Sequence, residues 1–315
     1  MAVKVIKNYR VSPAIDSYHD SVDPLVLPLT FFDLQWVRSH PTDQVFFYKL
    51  SESSREFFHS VILPKLDLSL SLVLRHYLPF AGSLKWDPQD PKPRIFVFGH
   101  DTVSLTVAES DAEFSLISGK GLRPQSELRV LDLTPTLDRT LIEVPPGLES
   151  KILESMSYFS DDKDGKRTMK PPPTAETRTD LVRITLELTR ENVEKLRKQA
   201  KRESTCSQLE LRDLSTFVVL NAYVWSCLVK ARGGNEERPV LFMYAADFRN
   251  RLDPPVPERY LGNCVFLITC TGYKANTLLG RDGFVNVVEI ISDSVKGLSS
   301  RGIEALCESY IDAMY

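Results

Sequence analysis

Histidines are the side chains best suited to accept a proton near pH 7, because a neutral imidazole is an effective general base there. All five of them precede residue 101: His19, His40, His59, His76 and His100. Only His19 has a carboxylate four residues later, at Asp23, and Pro24 follows it. A pattern with two fixed positions arises readily by chance, so we assign no catalytic histidine. We expect His76 to pack or to favour a helix C-terminus when charged, and His59 and His100 to lie at the surface or an edge.

A second group of chemically distinctive residues lies in the second half of the chain. Asp247, Arg249 and Arg251 alternate after an apolar segment. Four further residues follow within one short phrase: Tyr260, Gly262, Asn263 and Cys264. The pair Gly262-Asn263 is first of all a tight-turn signal. The plain interpretation is that the aspartate and the arginines brace a loop.

Other site chemistries lack their sequence signatures. The chain has no Gly-x-Ser-x-Gly, no Walker loop and no Gly-x-Gly-x-x-Gly, and its His and Cys residues have no zinc spacing. We interpret Gly119-Lys120-Gly121 as a turn and the charge run at 161–164 as solvated. The five cysteines form no Cys-x-x-Cys pair, and we expect reduced, mostly buried thiols: Cys206, Cys227, Cys264, Cys270 and Cys307. No metal site is predicted.

Length and composition are ordinary for a soluble globular protein. The 315 residues suggest about two domains. With 39 Lys+Arg against 42 Asp+Glu the net charge is −3, which disfavours phosphate-driven binding of nucleic acid. The N-terminus lacks the apolar core of a signal peptide, and the longest apolar runs, 216–225 and 264–270, are too short to span a bilayer. We therefore expect a cytoplasmic location, no membrane contact and a monomer if the chain folds.

The pattern of the first half predicts mixed strands and helices. We expect a strand around Val3–Ile6, a buried irregular segment at 27–34 and a strand at 46–50. Helical spacing runs through 57–62 and, from Pro64, through 66–77. Residues 94–98 and 103–107 are expected to form a hairpin around Gly99 to Asp101.

The second half begins after a compositional break. Residues 151–180 are charged and Pro-rich, which predicts a linker between a domain at 1–150 and a domain at 181–315. We expect a strand at 181–188, and a helix from 190 to about 201 capped by Thr189. A long buried helix should end at Gly233-Gly234. Apolar strands are predicted at 240–244 and 264–270, and helices at 284–291 and 303–311. The fold class is α/β, in the α+β sense.

Several long phrases together resemble the plant BAHD acyl-CoA-dependent acyltransferases, in the branch that malonylates phenolic, flavonoid and anthocyanin glycosides. The phrases follow the family's order: LPLTFFDLQWV (27–37), LRHYLPFAGSL (74–84), SGKGLRPQSELR (118–129), LDRTLIEVPPGLES (137–150), STFVVLNAYVWSCLVKARGG (215–234) and DFRNRLDPPVPERYLGNC (247–264). The resemblance implies two chloramphenicol-acetyltransferase-like domains. It also implies an acyl-CoA such as malonyl-CoA as co-substrate, a phenolic glycoside as acceptor, and no bound cofactor.

The resemblance also identifies what this chain lacks. The family's catalytic His-x-x-x-Asp-Gly falls between phrases that are joined here at about Val130, and its Asp-Phe-Gly-Trp-Gly segment does not occur. We expect both domains to be incomplete, and the faces carrying Ile95, Val97, Leu105 and Val107 to be short of partners.

The remaining family-matched residues are Asp247, Arg249, Arg251, Tyr260, Gly262, Asn263 and Cys264, with Leu261 where the family usually has Phe. In the family an arginine of this strand pairs with the motif aspartate, and Arg249 is the first choice for that role and Arg251 the second. Without its carboxylate partner, we expect an arginine here to be exposed or to pair locally with Asp247 or Asp253. The resemblance implies an acyltransferase that has lost its activity. The alternative is a non-catalytic pseudoenzyme or a splice or gene-model fragment with at most weak binding.

Overall fold

The computed structural model has a mixed α/β architecture, as predicted, divided into two compact units. The first comprises Met1–Glu143, Glu149–Thr177 and Val256–Asn263, and the second Val144–Leu148, Arg178–Pro255 and Cys264–Tyr315. The structure describes residues 3–14, 23–37, 39, 46, 48–50, 52, 54–87, 89–111, 137–158, 187–204 and 214–314. The predicted boundaries at 150 and 181 stay a prediction, since residues 159–186 lie outside the described part.

Two small antiparallel sheets form in the first unit. Their strands are β1 (Val3–Val11), β2 (Leu25–Pro28), β3 (Ser83–Lys85), β4 (Arg94–Val97) and β5 (Val103–Ser110). Strand β1 pairs with β5, and β4 lies between β2 and β3. The hairpin predicted for 94–107 is therefore wrong. The turn itself forms, since Asp101 Oδ2 accepts from Phe98 N at 2.8 Å, but the strands on either side of it enter different sheets.

Two faces that we expected to be uncovered are closed. Val97 and Val107 are each 7% exposed. Val97 lies in the central strand β4, where the backbone of Gly82 packs so closely that a Cβ there would sit 2.8 Å from Val97 Cγ2. The prediction of unpartnered faces is therefore wrong for these two valines.

The helices of the first half are α1 (Phe31–Leu34), α2 (Arg55–Phe57), α3 (Leu63–His76) and α4 (Leu148–Tyr158). A π-helical turn, Phe58–Ile62, joins α2 to α3, and Pro64 lies in the first turn of α3 as expected. The segment predicted as irregular at 27–34 is instead the end of β2 and α1, with Phe31, Phe32 and Leu34 fully buried. The strand predicted at 46–50 does not form at its described residues, 46 and 48–50, whose side chains are exposed; residue 47 lies outside the described part.

Helices surround one strand pair in the second unit. The elements are α5 (Arg190–Glu203), α6 (Thr216–Arg232), β6 (Pro239–Asp247), β7 (Val265–Lys274), α7 (Ala275–Leu278), α8 (Gly283–Lys296) and α9 (Ile303–Met314). Strands β6 and β7 are antiparallel. Exposed and buried side chains alternate along β6. On its buried side the ring of Phe242 stacks on that of Trp225 in α6, with the ring centroids 5.3 Å apart.

Local sequence signals set the ends of these helices. Thr189 Oγ1 accepts from Asn192 N at 3.2 Å, and Ser215 Oγ accepts from Val218 N at 3.2 Å. Helix α6 ends at Gly233, whose φ of 58° is accessible to glycine at little cost. The predictions for α5 and α6 are confirmed.

One helical stretch among the described residues is long and apolar enough to cross a membrane by length and composition. It runs from Arg55 to His76, and 11% of its most apolar window is buried. A helix of a soluble protein passes the same test, so the observation is weak evidence for a membrane span.

Candidate functional site

The charged residues at the end of β6 form a local cluster. Asp247 Oδ1 accepts from the backbone N of Arg249 at 2.9 Å, and Oδ2 accepts from Arg249 Nη1 at 3.2 Å. Arg251 Nη1 donates to the backbone oxygen of Asp247. The side chains of Arg249 and Asp247 are 31% and 54% exposed. Local pairing of Arg249 with Asp247, one of the two outcomes expected from the sequence, is confirmed.

The turn that carries Tyr260, Gly262 and Asn263 belongs to the first unit, although it comes from the second half of the sequence. Tyr260 is 3% exposed, and its backbone N donates to Pro257 O at 3.0 Å. Asn263 Nδ2 donates to the backbone oxygen of Phe32 in α1 at 2.8 Å. The turn is thus fastened to α1 by a contact that spans 231 residues of sequence.

Arg139 is the centre of this arrangement, and no pattern in the sequence singles it out. Its Nη1 donates to the Tyr260 hydroxyl at 2.9 Å, and its guanidinium lies 5.6 Å from the centroid of the same ring. Nη1 is also 3.9 Å from Asp33 Oδ2, which is an ion-pair distance but too long for a hydrogen bond. The side chains of Arg139 and Asp33 are 11% and 16% exposed. A cation this well buried needs such partners to offset its lost hydration.

The carboxylate of Asp33 is itself held in place. Thr30 donates to Asp33 Oδ2 twice, from its backbone N at 2.9 Å and from Oγ1 at 2.7 Å. This Thr-x-x-Asp arrangement starts α1, so helix capping also fixes the carboxylate beside Arg139. We call Thr30, Asp33, Arg139, Tyr260, Gly262 and Asn263 the Arg139 cluster.

Gly262 allows the cluster to close. A Cβ at this position would lie 2.2 Å from Arg139 Nη1 and 2.3 Å from the Tyr260 hydroxyl. Real Cβ atoms essentially never lie this close to another heavy atom, so Arg139 Nη1 or the buried Tyr260 ring would have to shift. The close approach therefore favours glycine at this position.

The chemistry open to the Arg139 cluster is binding and positioning. A guanidinium stays protonated at any physiological pH and cannot serve as a general base. The cluster fixes the Tyr260–Asn263 turn against α1. The site therefore acts as a structural anchor for two segments that are distant in sequence.

The thiols follow the sequence prediction for the described part of the chain. Cys264, Cys270 and Cys307 are buried and Cys227 is exposed, while Cys206 lies outside the described residues. Burial raises the pKa of the Cys270 thiol, which keeps it protonated and poorly nucleophilic. Cys264 contributes its backbone oxygen, which accepts from Phe248 N at 2.8 Å.

The described histidines are distributed over three separate places. His59 packs edge-on against Phe58, the exposed His76 ends α3, and His100 stacks on Phe98 at 5.5 Å. His19 and His40 lie outside the described residues, and so does the junction at Val130. Across the described part of the chain, no group of three or more His, Cys, Asp or Glu side chains is placed to hold a metal ion.

Comparison with known proteins gives consistent matches over the whole length. The model of the Transferase family matches residues 1–137 and 127–302. A BAHD acyltransferase of Arabidopsis thaliana is 50% identical over 99% of this chain and 81% of its own length. Agmatine coumaroyltransferase of the same plant is 49% identical over 98% and 81%, and its phenolic glucoside malonyltransferase 2 is 39% identical over 99% and 82%. Among solved structures, vinorine synthase matches with a TM-score of 0.59 at 14% identity, covering 100% of this chain and 80% of that one. This likeness confirms the predicted fold class.

The comparisons also show that the chain is shorter than a relative within the part that both share. The two stretches matched by the family model meet at 127–137, around the junction at Val130 that the sequence indicates. The alignment with the Arabidopsis acyltransferase has 374 positions, whereas this chain has 315 residues, so at least 59 positions face no residue here. The chain is therefore shorter than its relatives between segments that both match.

Proposed function

Because this chain belongs to the BAHD acyltransferase family, we propose that its family reaction is acyl transfer from CoA, and that the chain itself no longer catalyses it. The acyl group we propose is malonyl or a similar one, and the acceptor is a sugar hydroxyl of a phenolic or flavonoid glycoside. Two phenolic glucoside malonyltransferases of Arabidopsis, 39% and 38% identical to this chain, support that substrate class.

The reaction needs a proton acceptor. The acceptor oxygen attacks the thioester carbonyl, its proton passes to a general base, and the CoA thiolate leaves and takes up a proton. A positioned histidine contributes typically 10²- to 10⁴-fold to such a step. No histidine follows His100 in this chain, and the family model matches it as two stretches that share 127–137, the region where the resemblance places the catalytic motif. The absence of a histidine after His100 carries the proposal that turnover is lost.

The loss of a base is compounded by the loss of positioning. At least 59 aligned positions are missing, and alignment of the two substrates supplies much of the rate of a two-substrate reaction. The Arg139 cluster and the Asp247–Arg249 pair remain. Both fix backbone segments, and neither offers a proton acceptor with the properties of an imidazole.

A second candidate for the family reaction is coumaroyl transfer to an amine. Agmatine coumaroyltransferase is 49% identical to this chain, which is ten points above the more similar malonyltransferase. An amine acceptor also loses a proton when its nitrogen attacks the thioester. The loss of the base therefore has the same consequence for this reaction.

The test compares the chain with a variant in which the residues missing at Val130 are inserted from the 50%-identical Arabidopsis acyltransferase. Each protein receives malonyl-CoA with a phenolic glucoside, or coumaroyl-CoA with agmatine, and release of the free CoA thiol is measured. We expect no release above the protein-free blank for the native chain and turnover of one substrate pair for the variant. A matched variant with the inserted motif histidine changed to alanine should be inactive. Turnover by the native chain that His19→Ala abolishes would overturn the proposal.

A further inference from the structure

Ser12 is the one serine of the sequence that precedes a proline. It follows directly on β1, whose last residue is the buried Val11. Ser12 itself is exposed, and residues 12–14 belong to no helix or strand. Its hydroxyl has no hydrogen-bond partner in the part of the chain that the structure describes. A free hydroxyl therefore lies at the surface, at the point where β1 leaves its sheet.

Pro13 determines both the shape and the chemistry of this position. A residue that precedes proline is disfavoured in the helical region and is held in extended backbone, so Ser12 presents its side chain from an extended segment. Proline also has no backbone N–H. An enzyme whose pocket offers no acceptor at that position takes proline and rejects residues whose N–H would be buried unpaired. Ser12-Pro13 thus has the form that a proline-directed protein kinase recognises.

We propose that Ser12 is a phosphorylation site for a proline-directed serine/threonine kinase, with Mg²⁺-bound ATP as the phosphoryl donor. In the transfer Ser12 Oγ attacks the γ-phosphorus of ATP, the bond from that phosphorus to the bridging oxygen breaks, and ADP leaves. The hydroxyl proton passes to a carboxylate of the kinase. The product carries about 1.5–2 negative charges at Ser12 near pH 7.

Arg10 is placed to pair with the added phosphate. It is exposed, lies two residues before Ser12, and forms no ion pair within the described residues. Alternate residues of an extended segment share one side and lie roughly 6–7 Å apart. A guanidinium can bind two phosphate oxygens through parallel N–H groups. The new charge is therefore compensated locally, and we expect phosphorylation to leave β1 in its sheet.

Two hydrogen bonds to α3 restrain the segment around Ser12. Ser71 Oγ donates to the backbone oxygen of Ser12 at 2.8 Å, and the backbone N of Ala14 donates to the backbone oxygen of Ser71 at 2.9 Å. A kinase has to draw this segment into its own cleft, so both bonds oppose the reaction. The Ser71 hydroxyl supplies one of them, and it therefore limits how readily Ser12 is presented.

The full chain is incubated with a purified cyclin-dependent kinase or a mitogen-activated protein kinase and ATP labelled at its γ-phosphate, and the labelled residue is identified by mass spectrometry. We expect label at Ser12, none there in Ser12→Ala, and a rate at least about tenfold lower in Pro13→Ala. Thr134 is the only other hydroxyl residue before a proline, so Thr134→Ala is the matched control and should leave labelling of Ser12 unchanged. A native chain that neither kinase labels, or label that persists in full in Ser12→Ala, would overturn the proposal.

The restraint by α3 is tested through the labelling rate. Ser71→Ala should be labelled about two- to fivefold faster than the native chain, because one of the two bonds is gone. Ser69→Ala is the control, since Ser69 is exposed on the same helix and makes neither bond. Equal rates for native and Ser71→Ala chains would refute the restraint. Phosphorylation should shift the melting temperature of the native chain by less than about 2 °C and lower that of Arg10→Ala further. Equal shifts in the two chains would refute the pairing with Arg10.

Discussion

Arg139 Nη1 and the Tyr260 hydroxyl, 121 residues apart in sequence, lie 2.9 Å from each other in a partly buried hydrogen bond. The same nitrogen lies 3.9 Å from Asp33 Oδ2, and the Arg139 guanidinium lies over the Tyr260 ring. One arginine therefore connects α1, the 139–141 turn and the Tyr260–Asn263 turn. Each of these segments is short, so we expect stability in this part of the protein to depend on the contacts of Arg139.

Tyr260→Phe should destabilise the protein by about 1–3 kcal/mol, because it leaves a buried Arg139 nitrogen without its acceptor. The free energy of unfolding in urea, followed by circular dichroism, measures the effect. Tyr48→Phe is the matched control, since Tyr48 is 61% exposed and should change stability by less than about 0.5 kcal/mol. Equal effects of the two variants would show that the Tyr260 hydroxyl contributes nothing specific.

Gly262→Ala should disrupt the same hydrogen bond between Arg139 and Tyr260. The added Cβ displaces Arg139 Nη1 or the Tyr260 hydroxyl, so we expect a loss of about 1–3 kcal/mol, similar to that of Tyr260→Phe. The double variant should lose clearly less than the sum of the two single losses, because both disrupt one interaction. Gly99→Ala controls for the change itself, since a Cβ at Gly99 meets nothing within 4 Å. Strictly additive losses would contradict a shared interaction.

Arg249→Ala should change the free energy of unfolding by only about 0–1 kcal/mol. Its partner Asp247 is 54% exposed at the side chain, and solvent screens such pairs. Arg139→Ala is the contrasting variant and should cost more, because it removes the buried cation beside Asp33 and the hydrogen-bond donor of the Tyr260 hydroxyl. An Arg249→Ala loss as large as that of Arg139→Ala would assign Arg249 a structural role beyond its local pair.

The sequence predicted elements whose signals are local and missed contacts that are distant. Thr189 begins α5 and Gly233 ends α6 through interactions within a few residues, so both helices could be placed from sequence. The Gly99–Asp101 turn was also recognised, but a turn does not determine whether its two flanking strands pair with each other, and here β4 and β5 do not. Arg139 looks like an ordinary surface arginine in sequence, because its partners lie 106 and 121 positions away.

Stability should fall at alkaline pH through the buried groups between β6, β7 and α8. Burial raises the pKa of the Cys270 thiol above its ordinary 9.0 and that of Tyr244 above its ordinary 10.0, and the Tyr244 hydroxyl lies 3.0 Å from Ser294 Oγ. In the unfolded chain both groups release their protons at the ordinary values. Their contribution is therefore fully present below about pH 9 and is lost as the pH rises through the folded-state values.

Urea unfolding at intervals from pH 7.5 to 11 measures that loss. The slope for each group approaches at most about 1.36 kcal/mol per pH unit. Cys270→Ala should flatten the decline that begins near pH 9, and Tyr244→Phe the part that begins near pH 10, whatever each change does to stability at pH 7.5. If neither variant alters the decline, proton release from these two buried groups does not drive alkaline unfolding.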